Sequence, residues 1–120
     1  MPNDGAHNRP LVIFGGVTVK AFDAESPANG QASERYALQP NIDEIHVSIY
    51  FASAPSASDY IIEVADEDVE ARYQQIAQST DVNGEQFSLT TAANFIRAKK
   101  TSQTGGGAVT ISFTPRRKSS

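Results

Sequence analysis

Apolar and polar residues alternate along most of this chain with a period of two, which is the pattern of a half-buried β-strand. The clearest run covers residues 44–52. Its apolar members occupy every second position: Ile45, Val47, Ile49 and Phe51. The positions between them carry polar side chains or tyrosine: His46, Ser48 and Tyr50. We therefore predict a strand with one buried face and one face turned to solvent.

Two alternating runs near the end of the chain, residues 94–101 and 108–114, are separated by a loop that contains Gly105-Gly106-Gly107. Glycine reaches the positive φ angles that tight turns require, so this pattern predicts a β-hairpin. The residues expected to face the core are Ile96, Ala98, Val109, Ile111 and Phe113. Those expected to face solvent are Arg97, Lys99, Thr110 and Ser112. We expect Pro115 to end the last strand.

Shorter runs with turn residues between them predict further strands at 34–38, 59–65, 72–77 and 85–90, and residues 11–14 and 17–22 predict either one bent strand or two strands that meet at a glycine bulge. The acidic stretch 66–70 is ambiguous, since it either forms a hairpin loop before the strand at 72–77 or opens a short helix that reaches Ile76. We prefer the hairpin loop. About seven to nine short strands with frequent turns predict an all-β fold, a single-domain antiparallel β-sandwich with jelly-roll or immunoglobulin-like connectivity.

The chain has 120 residues, which is the size of one domain. We divide it into a flexible N-terminal arm at 1–10, the sandwich at 11–115 and a basic C-terminal tail at 116–120. There is no cysteine, which excludes disulfides and thiolate metal sites. No segment approaches the roughly 20 apolar residues of a membrane helix, and residues 1–10 lack the apolar core of a signal peptide. We expect no membrane association.

Charge is distributed unevenly along the chain, whose formal net charge is −4. Residues 43–70 contain eight acids and no lysine or arginine, whereas residues 95–120 contain six bases and no acid. The two segments are expected to attract each other, either within one chain or between chains, unless both are simply solvated surface. The acidic total and the lack of aromatic residues among the bases argue against nucleic acid as a partner.

No motif in the sequence predicts an enzyme. His46 lies near Ser48 and Tyr50, but without a nucleophile motif an ordinary exposed strand face is the better interpretation. The acidic residues 66–70 lack the ligand spacing of a calcium loop, and the glycine loop lacks the Lys-Ser/Thr of a phosphate loop. We predict no catalytic, cofactor-binding or metal-binding residues. Tyr50, Tyr60 and Tyr73 are candidates for a sugar-stacking platform, although core or rim positions suit tyrosines equally well.

The second half of the chain carries a family resemblance. The segment Asn94-Phe95-Ile96-Arg97-Ala98 and the strand order from Asp59 to Thr114 resemble small β-sandwich modules of tailed-bacteriophage virions. Such modules occur as capsid decoration (cement) proteins and as tail or fibre modules. The resemblance implies a non-enzymatic virion protein, a capsid decoration protein above all, that binds and stabilises the shell at capsomer junctions. A receptor- or carbohydrate-binding module of a phage tail or fibre is the alternative.

The resemblance also implies partners and a location. The expected partners are the major capsid protein or other virion proteins, together with further copies of the chain, a trimer being favoured. The expected location is the capsid surface of the virion, after synthesis in the cytoplasm of the bacterial host. The residues predicted to contact partners are those of the arm and the basic segment: Pro2, Asn3, Asp4, Arg9, Arg97, Lys99, Arg116, Arg117 and Lys118.

Overall fold

The computed structural model describes residues 10–117. The predicted arm residues Pro2, Asn3, Asp4 and Arg9 lie outside this range, as does Lys118 of the tail. Within the described range the chain forms nine strands and one turn of 3₁₀ helix, Glu70–Arg72. The strands are β1 (Leu11–Ile13), β2 (Val19–Glu25), β3 (Tyr36–Leu38), β4 (Ile42–Phe51), β5 (Ala57–Ala65), β6 (Gln74–Ser79), β7 (Glu85–Thr90), β8 (Phe95–Thr104) and β9 (Val109–Arg117). No helix in this part of the chain is long and apolar enough to cross a membrane.

The strands form two packed sheets, which confirms the predicted β-sandwich. A five-stranded sheet has the order β1-β3-β8-β5-β6, and a four-stranded sheet has the order β2-β9-β4-β7. All pairs are antiparallel except β1 with β3, which run parallel. The predicted antiparallel sandwich is therefore confirmed, with the short edge strand β1 as the one strand that pairs in parallel among the described residues.

The pairing of strands is nested along the chain. β5 pairs with β6, β4 with β7, β3 with β8 and β2 with β9. Four nested antiparallel pairs distributed over two sheets define the jelly-roll connectivity. Strand β1 is an addition at one edge. The jelly roll is therefore the correct one of the two predicted topologies.

The predicted hairpin between β8 and β9 does not form. β8 pairs with β3 and β5 in the five-stranded sheet, whereas β9 pairs with β2 and β4 in the four-stranded sheet. The glycine loop therefore carries the chain from one sheet to the other. Glycine permits a crossing as readily as a hairpin turn, so the loop composition alone does not decide between the two.

The crossing loop packs closely against the loop between β4 and β5. A Cβ atom on Gly106 would lie 2.6 Å from the backbone nitrogen of Pro55, and the φ angle of Gly106 is 76°. Gly105 also has a positive φ angle, 72°, but open space surrounds it. Gly106 is therefore required for two reasons, conformation and space, and Gly105 for conformation alone.

The core lies between the two sheets, on the faces that alternation predicts. Ile45, Val47, Ile49 and Phe51 of β4 are buried, as are Ile96, Ala98, Val109, Ile111 and Phe113. Three aromatic contacts bridge the sheets, with ring centroids 5.9–6.4 Å apart: Phe22–Tyr60, Phe51–Tyr60 and Tyr36–Phe113. The buried hydroxyls have partners, since Tyr36 donates to the Lys20 carbonyl and Tyr60 to Gln103 Oε1. Burial of these rings contributes much of the packing energy.

The last strand continues through Pro115 to Arg117, so the prediction that Pro115 ends it is wrong. The pairing of β2 with β9 ends at Val19–Phe113. Pro115 of β9 therefore has no pairing partner on β2. Its carbonyl accepts a hydrogen bond from Gly16 of the β1–β2 turn at 2.7 Å. A proline is tolerated there because β9 has no strand neighbour on its β2 side at this position, so a missing backbone N–H costs no ladder hydrogen bond.

Replacement of the two positive-φ glycines tests the sheet-to-sheet crossing. We expect Gly105→Ala to lower the free energy of unfolding by about 1 kcal/mol, the cost of left-handed backbone for an L-residue. Gly106→Ala adds a backbone clash, so we expect a loss of roughly 3 kcal/mol or more. Denaturant unfolding of the two variants measures the difference. Equal losses would show that the loop does not pack against Pro55.

Candidate partner-binding surfaces

Residues 66–73, here called the acidic strap, connect β5 to β6 and cover part of the outer face of the five-stranded sheet. The predicted hairpin loop is confirmed, and the helical alternative reduces to the single turn Glu70–Arg72. Glu70 of the strap reaches Arg97 on β8, and Asp68 reaches Arg35, which directly precedes β3. The strap therefore lies over the centre of the sheet.

Arg97 is the residue that holds the strap down. Its Nε donates to Glu63 Oε1 of β5 at 2.8 Å. Its two terminal nitrogens donate to both carboxylate oxygens of Glu70, at 2.8 and 2.7 Å. Its Cζ atom lies 4.0 Å from the ring centroid of Tyr73, in a cation–π contact. Two carboxylates and an aromatic ring surround the guanidinium, and the Arg97 side chain is only 4% exposed.

The other end of the strap is held by Asp68. Its Oδ1 accepts a hydrogen bond from the Tyr73 hydroxyl at 2.8 Å, and its Oδ2 lies 2.5 Å from Arg35 Nη1. Tyr73 thus contacts Arg97 with its ring and Asp68 with its hydroxyl. The ion pairs and the tyrosine form one connected group, the Arg97 cluster: Arg35, Glu63, Asp68, Glu70, Tyr73 and Arg97.

The pKa values of the cluster follow from these contacts. The hydrogen bond from Arg97 holds the pKa of Glu70 below its usual value. Burial alone would lower the pKa of Arg97, but the hydrogen bonds to Glu70 and Glu63 outweigh it and the pKa rises. Burial, followed by the hydrogen bond to Asp68, raises the pKa of Tyr73. The charged forms of the arginine and glutamate are therefore favoured in the folded protein.

These contacts correct the predicted solvent exposure of Arg97, one of the predicted partner-binding residues. The sequence predicts Arg97 at the surface, but the strap covers it. Its Nε donates to Glu63, and its two terminal nitrogens donate to Glu70. Lys99, two residues further along, is partly exposed, and Arg116 is exposed opposite Glu44. Arg117 pairs with Ile42 at the end of β9. The predicted attraction between acidic and basic segments is found within one chain, at Arg97.

The three candidate tyrosines do not form a platform. Tyr60 lies in the core at 1% exposure, and Tyr73 is buried against Arg97. Tyr50 is 63% exposed on the outer face of the four-stranded sheet. The predicted sugar-stacking platform of Tyr50, Tyr60 and Tyr73 is therefore wrong, because the three rings have three different environments.

His46 lies on the same outer face as Tyr50, where alternation places it. Its Nε2 is 3.1 Å from Gln86 Oε1 of β7, so the histidine forms a cross-strand hydrogen bond. Among residues 10–117 the structure contains no group of three or more metal-binding side chains.

A run of exposed apolar side chains lies at the start of the described chain. Leu11 and Val12 of β1, with Phe14 and Val17 of the following turn, are 39–57% exposed; we call these four residues the apolar edge. The turn is ordered by hydrogen bonds from Val17 N to the Phe14 carbonyl and from Gly16 N to the Pro115 carbonyl. Sequence reasoning missed this surface, because an uninterrupted apolar run suggests a buried strand. The Gly15-Gly16 pair that shortens the strand was the one available signal.

The edges of the two sheets differ in charge. The edges of the four-stranded sheet carry charged residues: Lys20, Asp23 and Glu25 on β2, and Glu85 on β7. β2 is also interrupted by register shifts. The edge strands of the five-stranded sheet, β1 and β6, contain no charged residue. Charges and bulges prevent strand edges from associating, and β1 has neither.

Comparison with known proteins identifies a structural relative. The crystal structure of the SPBc2 prophage-derived protein YomS is similar to this chain, with a TM-score of 0.58. The match covers 81% of this chain and 90% of YomS, at 15% sequence identity. No protein-family profile matches the sequence, and no curated protein matches it. The two proteins share a fold.

Removal of the Arg97 side chain tests the strap. Arg97→Met leaves Glu63 buried without its partner, so we expect the free energy of unfolding to fall by roughly 3–5 kcal/mol. Lys99→Met, on the same strand and face, is the matched control, with an expected change of about 0.5 kcal/mol or less. Denaturant unfolding measures both. Equal effects would contradict the burial of Arg97, and addition of Glu63→Gln to Arg97→Met should restore part of the loss.

The pKa of Glu70 makes the strap sensitive to acid. Because this pKa is lower in the folded chain than in the unfolded chain, Glu70 stabilises the fold above the ordinary glutamate pKa of about 4.3. That stability is lost as pH falls through the lower folded value. Glu70→Gln should therefore cost less than about 1 kcal/mol at pH 7, since the carboxylate is solvent-exposed, and less still at pH 2. Thermal unfolding at both pH values checks this, and an equal cost at both would contradict it.

Proposed function

We propose that this chain is a non-enzymatic structural component of a bacteriophage particle that binds the capsid shell as a decoration protein. It acts as an oligomer, with a trimer as the expected state. It contributes to shell stability by burying surface across subunit boundaries, since anything that binds the assembled state stabilises it by mass action. Its partner in this proposal is the major capsid protein.

The apolar edge is the observation that carries the proposal. Val12, Phe14 and Val17 each leave more than half of their surface exposed. An edge strand with apolar side chains and no charge is a favourable site for association with another polypeptide. Attachment through this edge would bury the side chains and complete the β1 side of the sheet.

The position of the edge in the chain supports the same partner surface. Residues 1–9, which contain the candidate contacts Pro2, Asn3, Asp4 and Arg9, lead directly into β1. Arg116 is close to it, because the Gly16 amide bonds the carbonyl of Pro115. The apolar edge and Arg116 thus lie at one end of the molecule, as in interfaces with an apolar centre and a polar rim.

The fold supports the phage assignment by analogy. Jelly rolls are a frequent architecture of viral capsid domains and lectins, and the similar structure YomS is described as prophage-derived. Fold does not by itself define function. The shell assignment therefore depends on the apolar edge and on the location of the protein in particles.

Immunogold labelling of particles tests the assignment. Particles are purified from the strain that encodes this chain and labelled with an antibody raised against the recombinant protein. We expect gold on the capsid shells. Gold confined to tails would overturn the decoration role, and particles without label would overturn the virion role altogether.

Substitution in the apolar edge tests the contact. We expect Phe14→Ser to reduce attachment to shells stripped of this protein by roughly tenfold, because it removes an exposed aromatic anchor. Val69→Ser is the matched control, since Val69 is also half-exposed but lies in the strap. Cosedimentation with the shells measures attachment, and circular dichroism confirms that both variants are folded. Equal attachment of the two variants would exclude the apolar edge.

A further inference from the structure

The outer face of the four-stranded sheet carries a polar surface that shell attachment through β1 does not use. Tyr50, on the inner strand β4, is the large aromatic side chain of this face and is 63% exposed. Its nearest neighbours on the face are polar: Ser48 of β4, Thr110 and Ser112 of β9, and Gln86 of β7. An aromatic ring surrounded by hydroxyl and amide groups is well suited to a ligand that presents both an apolar face and hydroxyls.

A groove runs beside Tyr50, with the β6–β7 turn as its other wall. Its volume is about 320 Å³, and Ser48, Tyr50, Asn83 and Gln86 line it. The turn lies directly on β4, since a Cβ on Gly84 would be 2.4 Å from the Ile49 carbonyl oxygen. On this side the groove is formed by the backbone of the β6–β7 turn, which packs against the backbone of β4. This wall is therefore preformed and does not depend on the conformation of flexible side chains.

The polar groups of the groove are available. Within residues 10–117, the side chains of Ser48, Tyr50 and Asn83 have no hydrogen-bonding partner. Gln86 uses Oε1 on His46, which leaves its amide hydrogens free. Three kinds of donor and acceptor, hydroxyl, amide and phenol, therefore converge on one space.

Charge selects the class of ligand. Glu85 is the charged residue among those that line the groove, and its Oε1 accepts a hydrogen bond from Ser79 Oγ. The charged residues on the edge strand β2 include the ion pair Lys20–Asp23. Among the described residues no lysine or arginine lines the groove to attract an anion, and the chain is acidic overall. Phosphorylated, sulfated and nucleic-acid ligands are disfavoured on this ground.

We propose that the Tyr50 groove binds a neutral carbohydrate, with a sugar ring stacked on Tyr50. The amide groups of Gln86 and Asn83, with the Ser48 hydroxyl, hydrogen-bond the sugar hydroxyls. The groove lies at the Tyr50 end of β4, whereas Arg116 lies opposite Glu44 at the other end, so a particle-bound copy still exposes the groove. Binding here is independent of the proposed shell attachment, and failure of one does not imply failure of the other.

A glycan array that carries neutral and anionic glycans tests the proposal with the labelled wild-type chain. We expect binding to neutral glycans only. The dissociation constant for the best neutral glycan is then measured by titration. We expect Tyr50→Ala to weaken binding by roughly tenfold, whereas Tyr50→Phe, which keeps the ring, has a smaller effect. Ser88→Ala, on the same face but outside the groove, is the matched control and should bind as the wild type does.

Nuclear magnetic resonance locates the site independently of the variants. On addition of the same glycan, we expect amide shift changes at Tyr50, Asn83 and Gln86 and none at Ile96 or Arg97 of the other sheet. The proposal is overturned by an array with no bound neutral glycan, by binding to anionic glycans alone, by unchanged affinity of Tyr50→Ala, or by shift changes confined to other parts of the chain.

Discussion

Nested antiparallel pairing is the constraint from which the rest of this structure follows. Because β2 pairs with β9, β3 with β8 and β4 with β7, each connection from β2 onward changes sheet, except the one between β5 and β6. The consecutive strands β8 and β9 therefore occupy interior positions of opposite sheets. Their alternating apolar residues face each other across the core, and Gly106 provides the close crossing that joins them.

The same pairing gives the two outer faces different roles. The single hairpin connection, between β5 and β6, carries the acidic strap, and Arg97 holds it over the five-stranded sheet with Glu63 and Glu70. The strap, held by these ion pairs, covers part of that face. Within residues 10–117 no such strap covers the outer face of the four-stranded sheet, and Tyr50 is exposed on it. The edge strand β1 lies outside the nested pairs and presents apolar side chains to solvent.

Alternation in the sequence was sufficient to predict the strands and their buried faces. Val47, Ile96 and Phe113 are fully buried, as their positions in the pattern require. Alternation predicts which face of a sheet a residue occupies but not what covers that face. The prediction for Arg97 is therefore right about the outer face and wrong about its exposure to solvent. The pairing of strands could not be predicted from local patterns either, because partners such as Phe22 and Ile111 are far apart in sequence. Nor does a local apolar run reveal that β1 is an edge strand.

Nuclear Overhauser contacts between backbone protons of β8, β9 and their neighbours test the nested pairing most directly. We expect cross-strand contacts between Ile111 and Ile49 and between Ile96 and Val64, which place β9 and β8 in different sheets. A ladder of backbone contacts that joins residues 98–101 to residues 108–111 would instead show a β8–β9 hairpin. That result would contradict the crossing at Gly106 and both outer faces derived from it.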